Sequence, residues 1–367
     1  MFIKKNNISD HYYFMGLALL QAHKSLGNTK TNPSVGCVIV KNKSVISLAS
    51  TSFNGRPHAE HNAINFNKKE VKSSDLYVTL EPCSNYGKTP PCVKYIIKNK
   101  IKKVFFSVKD PDIRSYNQSS HQFKKKKIKV NKGILKSEID HFYRSYFKFK
   151  NNNLPFVTGK IAVSKDLYTV NKKNKWITNK FSRGRVHLMR SQHDCIVTSS
   201  KTIIKDNPIL TCRIPGLEHT SPIRIILDKK LKISINSNVV LTANKHKTII
   251  FFNDSKHEKI KEFNRLGVKM IKFPLDNNHN FNLKNLLNRI KSMGFSRIFL
   301  EAGSNLTSNF LKENLIDDFH LFMSNKKIKK HGLNSFKENM KFLFLKKSLK
   351  LQKINLFGEK LLTYNLK

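Results

Sequence analysis

The chain has 367 residues, 39% of them hydrophobic, and its 69 Lys and Arg against 24 Asp and Glu give a formal charge of +45. That length exceeds one ordinary core and predicts two domains. No run approaches the roughly 18 to 20 uncharged apolar residues of a membrane span, and Met1 to Asn7 leads into no signal-peptide apolar segment, so no membrane association and a cytoplasmic location are expected. In chain order, apolar spacing predicts a helix over Tyr12 to Leu26, strands over Val35 to Val40 and Val45 to Leu48, and a helix over His58 to Phe66. A strand over Leu76 to Leu80, a helix over Val93 to Lys98 and a strand over Val104 to Val108 follow. This alternation reads as a sheet covered on its faces by helices.

The polar run Lys148 to Asn153 and the turn-like Asn151-Asn152-Asn153-Leu154-Pro155 mark a boundary, since the residue before proline is pushed toward extended conformations. Residues 1–153 and 154–367 are therefore taken as two α/β domains. The second begins with a strand, Phe156 to Val163, then a helix, Phe181 to Gln192. Strands Asp194 to Thr198, Ile223 to Leu227 and Thr248 to Phe252 come next, then helices Glu258 to Leu266 and Leu283 to Met293. Strand Arg297 to Leu300 and helix Leu306 to Lys312 end the readable series.

The charge invites a nucleic-acid partner, because lysine-rich surfaces gain affinity by releasing phosphate counterions. Yet 58 of the 69 basic residues are lysines, spread over the whole chain among abundant Asn, Ile and Phe, all residues of A/T-rich codons. The runs Lys124 to Lys127 and Lys326 to Lys330 read as solvated loops, and no specific nucleic-acid partner is expected. Five cysteines, Cys37, Cys83, Cys92, Cys195 and Cys212, lack the spacing of a disulfide framework and are left for metal or core roles.

The sharpest signal is His58-Ala59-Glu60, followed by Pro82-Cys83 and then Cys92. Taken singly, His58 reads as a helix-start histidine and the cysteines as core thiols. Together they supply three Zn2+ ligands and leave a fourth tetrahedral position for water, the pattern of a catalytic rather than a structural site. Glu60 is the nearby carboxylate that such a site needs to shuttle protons, and the set matches the zinc nucleobase-deaminase signature. Polynucleotide deaminases place two residues between the cysteines, and here there are eight, which argues against an RNA deaminase.

Glu81-Pro82-Cys83-Ser84 and Gly87-Lys88-Thr89-Pro90-Pro91-Cys92 resemble the bifunctional diaminohydroxyphosphoribosylaminopyrimidine deaminase/aminophosphoribosyluracil reductase family of riboflavin synthesis. Asn32-Pro33-Ser34-Val35-Gly36-Cys37-Val38 and Asp110-Pro111 are similar to further motifs of that family. Departures are Asn62 and Asn85 where the family commonly has histidines, and Asp112-Ile113-Arg114-Ser115 without its glycines.

The resemblance extends through the second half. It rests on Lys160-Ile161-Ala162-Val163-Ser164 with Asp166, Trp176-Ile177-Thr178, Arg190, Thr202 to Pro208, Leu210-Thr211-Cys212-Arg213 and Glu301-Ala302-Gly303-Ser304-Asn305-Leu306. It implies an N-terminal cytidine-deaminase-like domain and a C-terminal dihydrofolate-reductase-like domain, both three-layer α/β. It also implies zinc and NADPH as cofactors and a phosphoribosyl-aminopyrimidine substrate that is first deaminated and then reduced at the ribose. By the same resemblance Ala162, Trp176, Thr202, Asp206, Gly303, Ser304, Asn305 and Leu306 face the cofactor. Asn174, Arg190, Leu210, Arg213 and Glu301 face the substrate, with Arg190 and Arg213 suited to fork onto a phosphate or ribose hydroxyls. A strand running through Gly303 into a helix also presents backbone N–H groups to a phosphate. Leu167, Asn207 and Asn174-Lys175 depart from the family's turn glycine, second aspartate and Ser-Gln. Two rivals remain at this stage: a monofunctional deaminase with a degenerate second half, and a basic nucleic-acid-binding protein. Oligomeric state is left open, a homo-oligomer included.

Overall fold

The computed structural model describes residues 10–87, 89–112, 114, 118–151, 154–174, 176–254, 257–344 and 349–367. Lys88, Ile113, Ser115, Asn152, Asn153 and Lys175, which figure in the motifs above, lie outside the described residues. The chain divides into two compact units, Met1–Asn153 and Leu154–Lys367.

The first unit runs α1 (Asp10–Ser25), β1 (Gly36–Lys41), β2 (Ser44–Ser50), α2 (Ala59–Phe66), β3 (Asp75–Leu80), α3 (Cys92–Lys98), β4 (Lys103–Val108), α4 (Gln118–Lys125), β5 (Lys129–Lys132) and α5 (Lys136–Asn151). Its sheet has the order β2-β1-β3-β4-β5, antiparallel around β1 and parallel from β3 to β5. The buried small residues Ala18 and Ala22 let α1 cross β1 closely. The crossing is so tight that a Cβ on Gly36 would sit 1.8 Å from the Ala18 carbonyl oxygen, which explains the glycine there. Tyr143 on α5 shares a 2.6 Å hydrogen bond with Thr79 on β3 and donates to the Ser34 carbonyl, fixing α5 on the sheet.

Most predicted elements are present with ends moved by one or two residues, and three readings differ for physical reasons. His58 is not the first turn of a helix but the N-cap of α2, in extended conformation. The run Lys148–Lys150 is not linker but the end of α5, whose Tyr143 and Tyr146 are buried. Likewise Lys124 and Lys125 form the last turn of α4 rather than a loop, a favourable place for cations at a helix C-terminus.

The second unit runs β6 (Phe156–Val163), β7 (Tyr168–Asn171), α6 (Lys180–Ser191), β8 (Cys195–Ser199), α7 (Ser200–Asp206), β9 (Ile223–Leu227), α8 (Asn238–Leu241), β10 (Thr248–Phe252), α9 (His257–Arg265) and β11 (Val268–Lys272). It continues with α10 (Leu283–Ser292), β12 (Arg297–Glu301), α11 (Ser304–Lys312), β13 (Asp318–Met323), β14 (Gly332–Ser335), α12 (Lys337–Phe344), β15 (Leu349–Leu351) and β16 (Lys360–Asn365). Nine strands form one sheet in the order β11-β10-β9-β8-β12-β6-β13-β16-β15. The sheet is parallel from β11 to β13, with β16 and β15 added antiparallel.

Its inner parallel strands are apolar on both faces, as a sheet covered on both sides requires. Cys195 and Val197 of β8 join the core under α10, α11 and α12, while Ile196 joins the core under α6, α8 and α9. Among the described residues, strands β7 and β14 pair only with each other, as a ribbon. Leu167, at the turn into β7, has φ +67°, the left-handed region that a glycine occupies without strain.

Arg224 on β9 is fully buried, and its guanidinium donates to the carbonyls of Ile209, Val239, Thr242 and His246 and to the Thr242 hydroxyl. One side chain thus closes two loops over the sheet. No helix among the described residues is long and apolar enough to cross a membrane.

Candidate active sites

Each residue of the His-x-Glu and cysteine pattern sits where its backbone directs it toward one point. His58 caps α2, Glu60 lies in the first turn of α2, and Cys92 opens α3 after Pro91, while Cys83 follows β3 in the loop. Two helix N-termini therefore face the group, an electrostatic setting that favours thiolates. The His58 nitrogen and both sulfurs lie within 4.8 Å of one another, with Nδ1 at 3.3 Å from Cys92 Sγ and 3.6 Å from Cys83 Sγ. Tetrahedral zinc with N and S ligands at its usual bond lengths sets such N to S edges at roughly 3.6 Å. The donor set and spacing fit a zinc ion with an open fourth position.

The electrostatics separate the roles. The neighbouring Cys92 thiol and His58 hold Cys83 down at about 4 despite desolvation, whereas burial pushes Cys92 up. His58 is raised by its hydrogen bond to Cys83. Glu60 is 3% exposed, and burial lifts its carboxyl to about 7, near the value suited to giving and taking a proton at neutral pH.

His58, Glu60 and Cys83 line a pocket of about 130 Å³ with Asn32, Arg56, Glu81, Asn85, Asp110 and Lys150 among its walls. Asp110 accepts from Tyr146 at 3.0 Å, and Glu81 accepts from Ser119 at 2.6 Å. Of the two departures, Asn85 stays at the pocket, whereas Asn62 turns away to Ser50 and Ser52 and supports the loop before α2. Sequence reasoning passed over Arg56, Tyr146 and Lys150. Tyr146 and Lys150 stand four residues apart on α5, a spacing visible only once that helix is recognised.

In the second unit a cleft of about 520 Å³ opens at the carboxyl ends of parallel strands, the usual place for ligands in such sheets. Its walls include Ala162, Asn174, Trp176, Arg190, Asp206, Arg213 and Glu301 from the sequence-derived set. Thr202, Leu210 and the Gly303 to Leu306 segment are not among the lining residues. Leu210 is buried in the apolar core on one face of the sheet, and Thr202 shares a 3.4 Å hydrogen bond with Ser199.

Arg190 is not free to fork onto a phosphate. Its Nε and Nη2 make a two-pronged pair with Glu301 at 2.9 and 3.0 Å, and Nη1 donates to the Thr211 carbonyl. Lys160 joins Glu301 at 3.6 Å. Burial alone would raise the Glu301 carboxyl, but Arg190 and Lys160 hold it down at about 2. Burial also lowers Lys160. Lys160 and His187 are further lining residues that the sequence reading left unassigned.

The Gly303 turn fits a phosphate-bearing cofactor. Gly303 is the N-cap of α11 without a side-chain cap, its φ is −68°, and a Cβ there would meet nothing within 4 Å. Neither backbone conformation nor packing within the chain calls for glycine, and the open space lies beside free helix N–H groups.

A three-ligand metal site on a layered deaminase-type domain, joined to a second α/β domain with a cleft at its strand ends, defines a two-domain deaminase and reductase. Residues 155–362 match the model described as RibD C-terminal domain, and residues 8–108 match that of the cytidine and deoxycytidylate deaminase zinc-binding region. The chain belongs to the RibD family, the bifunctional deaminases/reductases of riboflavin biosynthesis.

The riboflavin biosynthesis protein RibD of Bacillus amyloliquefaciens is 33% identical over 314 residues, 85% of this chain and 84% of that protein. The RibD protein of Aquifex aeolicus is 31% identical over 359 residues, 96% and 97% of the two chains. The solved structure of Acinetobacter baumannii RibD superposes with a TM-score of 0.83 at 27% identity, covering 98% of this chain and 99% of that one. A diaminohydroxyphosphoribosylaminopyrimidine deaminase/5-amino-6-(5-phosphoribosylamino)uracil reductase from Thermotoga maritima superposes at 0.82 with 29% identity, covering 97% and 98%. The chain is accordingly a zinc-dependent deaminase fused to an NADPH-dependent reductase.

Proposed function

We propose that residues 1–153 hydrolyse the exocyclic amine of 2,5-diamino-6-(5-phosphoribosylamino)pyrimidin-4-one and that residues 154–367 reduce the ribosyl chain of the product to ribityl. The carrying observation is the convergence of His58, Cys83 and Cys92 within 4.8 Å beside buried Glu60. His58, Cys83 and Cys92 hold the metal. Zinc bound there supplies the Lewis acidity that makes water a nucleophile near neutral pH. Glu60 takes the proton from that water and returns it to the amine nitrogen, so that the C–N bond breaks, ammonia leaves and a ring carbonyl remains. Asn32, Asn85 and the loop between the cysteines orient the ring.

In the second unit NADPH supplies the hydride that ends on the former anomeric carbon of the ribose. Ala162, Trp176, Thr202, Asp206 and Gly303 to Leu306 hold the cofactor, the last four through backbone N–H groups at the start of α11. Asn174, Arg213 and the Leu210 backbone take the substrate, while Arg190 acts by fixing Glu301. The lysine excess has no specific nucleic-acid role, the location is cytoplasmic, and self-association into a homo-oligomer is compatible with this reading.

The test is zinc content together with conversion of the diaminopyrimidine phosphate by the purified chain. Glu60→Gln should keep zinc and lose deamination by about two to four orders of magnitude, whereas Cys83→Ser should lose both. Near-normal turnover in Glu60→Gln removes that residue from the mechanism, and full zinc occupancy in Cys83→Ser removes the ligand assignment.

A further inference from the structure

The deaminase pocket carries cations that the zinc chemistry does not use. Arg56, Arg114 and Lys150 line the same pocket as His58, Glu60 and Cys83 and come from three separate places: the loop before α2, the loop after β4, and α5. Lys150 and Arg114 both hold Asp112, Lys150 at 3.1 Å and Arg114 by two bonds at 2.8 and 2.6 Å. That trio has one positive charge in excess. Of the other wall acids, Glu81 accepts from the Ser119 hydroxyl and Asp110 from the Tyr146 hydroxyl and the Asp112 backbone N–H, all neutral donors, while Glu60 serves the metal chemistry.

Arg56 differs from the other two cations. Its guanidinium donates to a neutral group, the Thr89 hydroxyl on the loop between Cys83 and Cys92. Its Nη2 lies beside Gly87, where an added Cβ would be at ordinary contact, 3.6 Å, and the side chain is part of the pocket wall. Two peptide steps keep its Cα within about 7 Å of that of His58. A half-buried guanidinium at that reach, with no carboxylate paired to it among the described residues, is suited to bind a phosphate bidentately.

We propose that Arg56 is the anion anchor of the deaminase pocket, gripping the phosphate of the phosphoribosyl substrate, with the Lys150–Asp112–Arg114 trio supplying the second positive wall. The proposal rests on the phosphoribosyl-aminopyrimidine reading given above. Arg56 thereby selects phosphorylated over free ribosyl aminopyrimidines and places the ring over the metal without touching the reacting carbon.

The experiment uses the zinc-loaded full-length chain with the phosphoribosyl-aminopyrimidine and its dephosphorylated counterpart as paired substrates. Arg56→Ala should lower the ratio of kcat/KM for the phosphorylated over the dephosphorylated substrate at least tenfold, mainly through KM, with zinc content held at one per chain. Arg56→Lys should recover part of the ratio, since it restores charge without the fork. An unchanged ratio in Arg56→Ala, or equal losses on both substrates, overturns the assignment while leaving the deaminase reading intact. If the wild-type chain deaminates neither substrate, the underlying reading fails and the anchor with it.

Discussion

Glu301 is the point at which stability and reductase chemistry meet, and replacing it with Gln tests how the cleft is held. The carboxylate is paired with two cations whose side chains are only 10% and 15% exposed, while its own is 17% exposed. Gln keeps the shape and removes the charge, leaving Arg190 and Lys160 buried beside each other without a counter-ion. Removing one member of a buried pair typically costs about 3 to 5 kcal/mol. An independent route gives a similar figure: a carboxyl held at about 2 instead of 4.5 corresponds to about 3 kcal/mol of stabilisation while it is ionised. Because the folded value is depressed, that stabilisation is complete above pH 4.5 and is lost as the pH falls toward 2. Urea unfolding of the full chain at pH 7 should therefore show a loss of about 3 kcal/mol in Glu301→Gln. Adding Lys160→Met should recover part of it by removing one orphaned cation. A single variant within 1 kcal/mol of wild type would refute the view that this cluster holds the cleft wall.

Other expectations follow from the same reasoning. Arg224→Met takes a donor from four carbonyls, of which those of Val239, Thr242 and His246 keep a second donor in Thr248 Oγ1 or the His246 N–H, so it should destabilise by about 1 to 3 kcal/mol in urea unfolding; an unchanged midpoint would mean that relief from desolvation offsets the lost bonds. Gly303→Val should fold normally, since a Cβ meets nothing there, yet weaken NADPH about tenfold by crowding the start of α11; calorimetry with unchanged affinity would place the cofactor phosphates elsewhere. Burial holds His320 down at about 4 and lowers His193 as well. Both are neutral when folded and gain protons on unfolding, so stability present above pH 6.5 is lost as the pH falls from 6.5 toward 4, by about 1.4 kcal/mol per pH unit for His320. A urea midpoint constant from pH 7 to 5 would contradict that. Binding to RNA should be weak, sequence-blind and steeply lost with salt; tight sequence-selective binding at physiological salt would show that the lysines serve a specific partner.

How much could be read from the sequence depended on whether a feature is local. The metal constellation was legible because zinc dictates residue types, and His58, Cys83 and Cys92 advertise themselves even before their positions are known. Long central strands such as Phe156–Val163 and Thr248–Phe252 were legible because burial on both faces demands apolar runs. The helix Lys136–Asn151 was not, since its lysines and aromatics mix a wet face with a buried one and its end resembles a linker. With it went Tyr146 and Lys150, which reach the pocket only after that helix folds back over the sheet. Strands β7 and β14 escaped for another reason: half-buried to exposed throughout, they have no alternation to detect. In the second unit motif order was legible but not direction, so Leu210 and Arg190 were assigned outward roles that the core and Glu301 claim.

The ribbon of β7 and β14 has a consequence for how the reductase cleft is entered. Thr169, Val170 and Asn171 belong to both the ribbon and the cleft wall, yet the ribbon shares no ladder with the nine-stranded sheet. It is moored at its ends: Asp166 accepts from the backbone N–H groups of Ile328 and Lys329, Lys165 N–H reaches the Lys326 carbonyl, and Phe336, buried in the core against Phe319, sends its N–H to the Leu167 carbonyl. One part of the cleft wall is thus held at its ends rather than along a ladder of the main sheet, while Glu301 belongs to the central strand β12 and Arg190 is clamped to it. A displacement of the ribbon between its moorings would reshape that wall without breaking any ladder of the parallel strands.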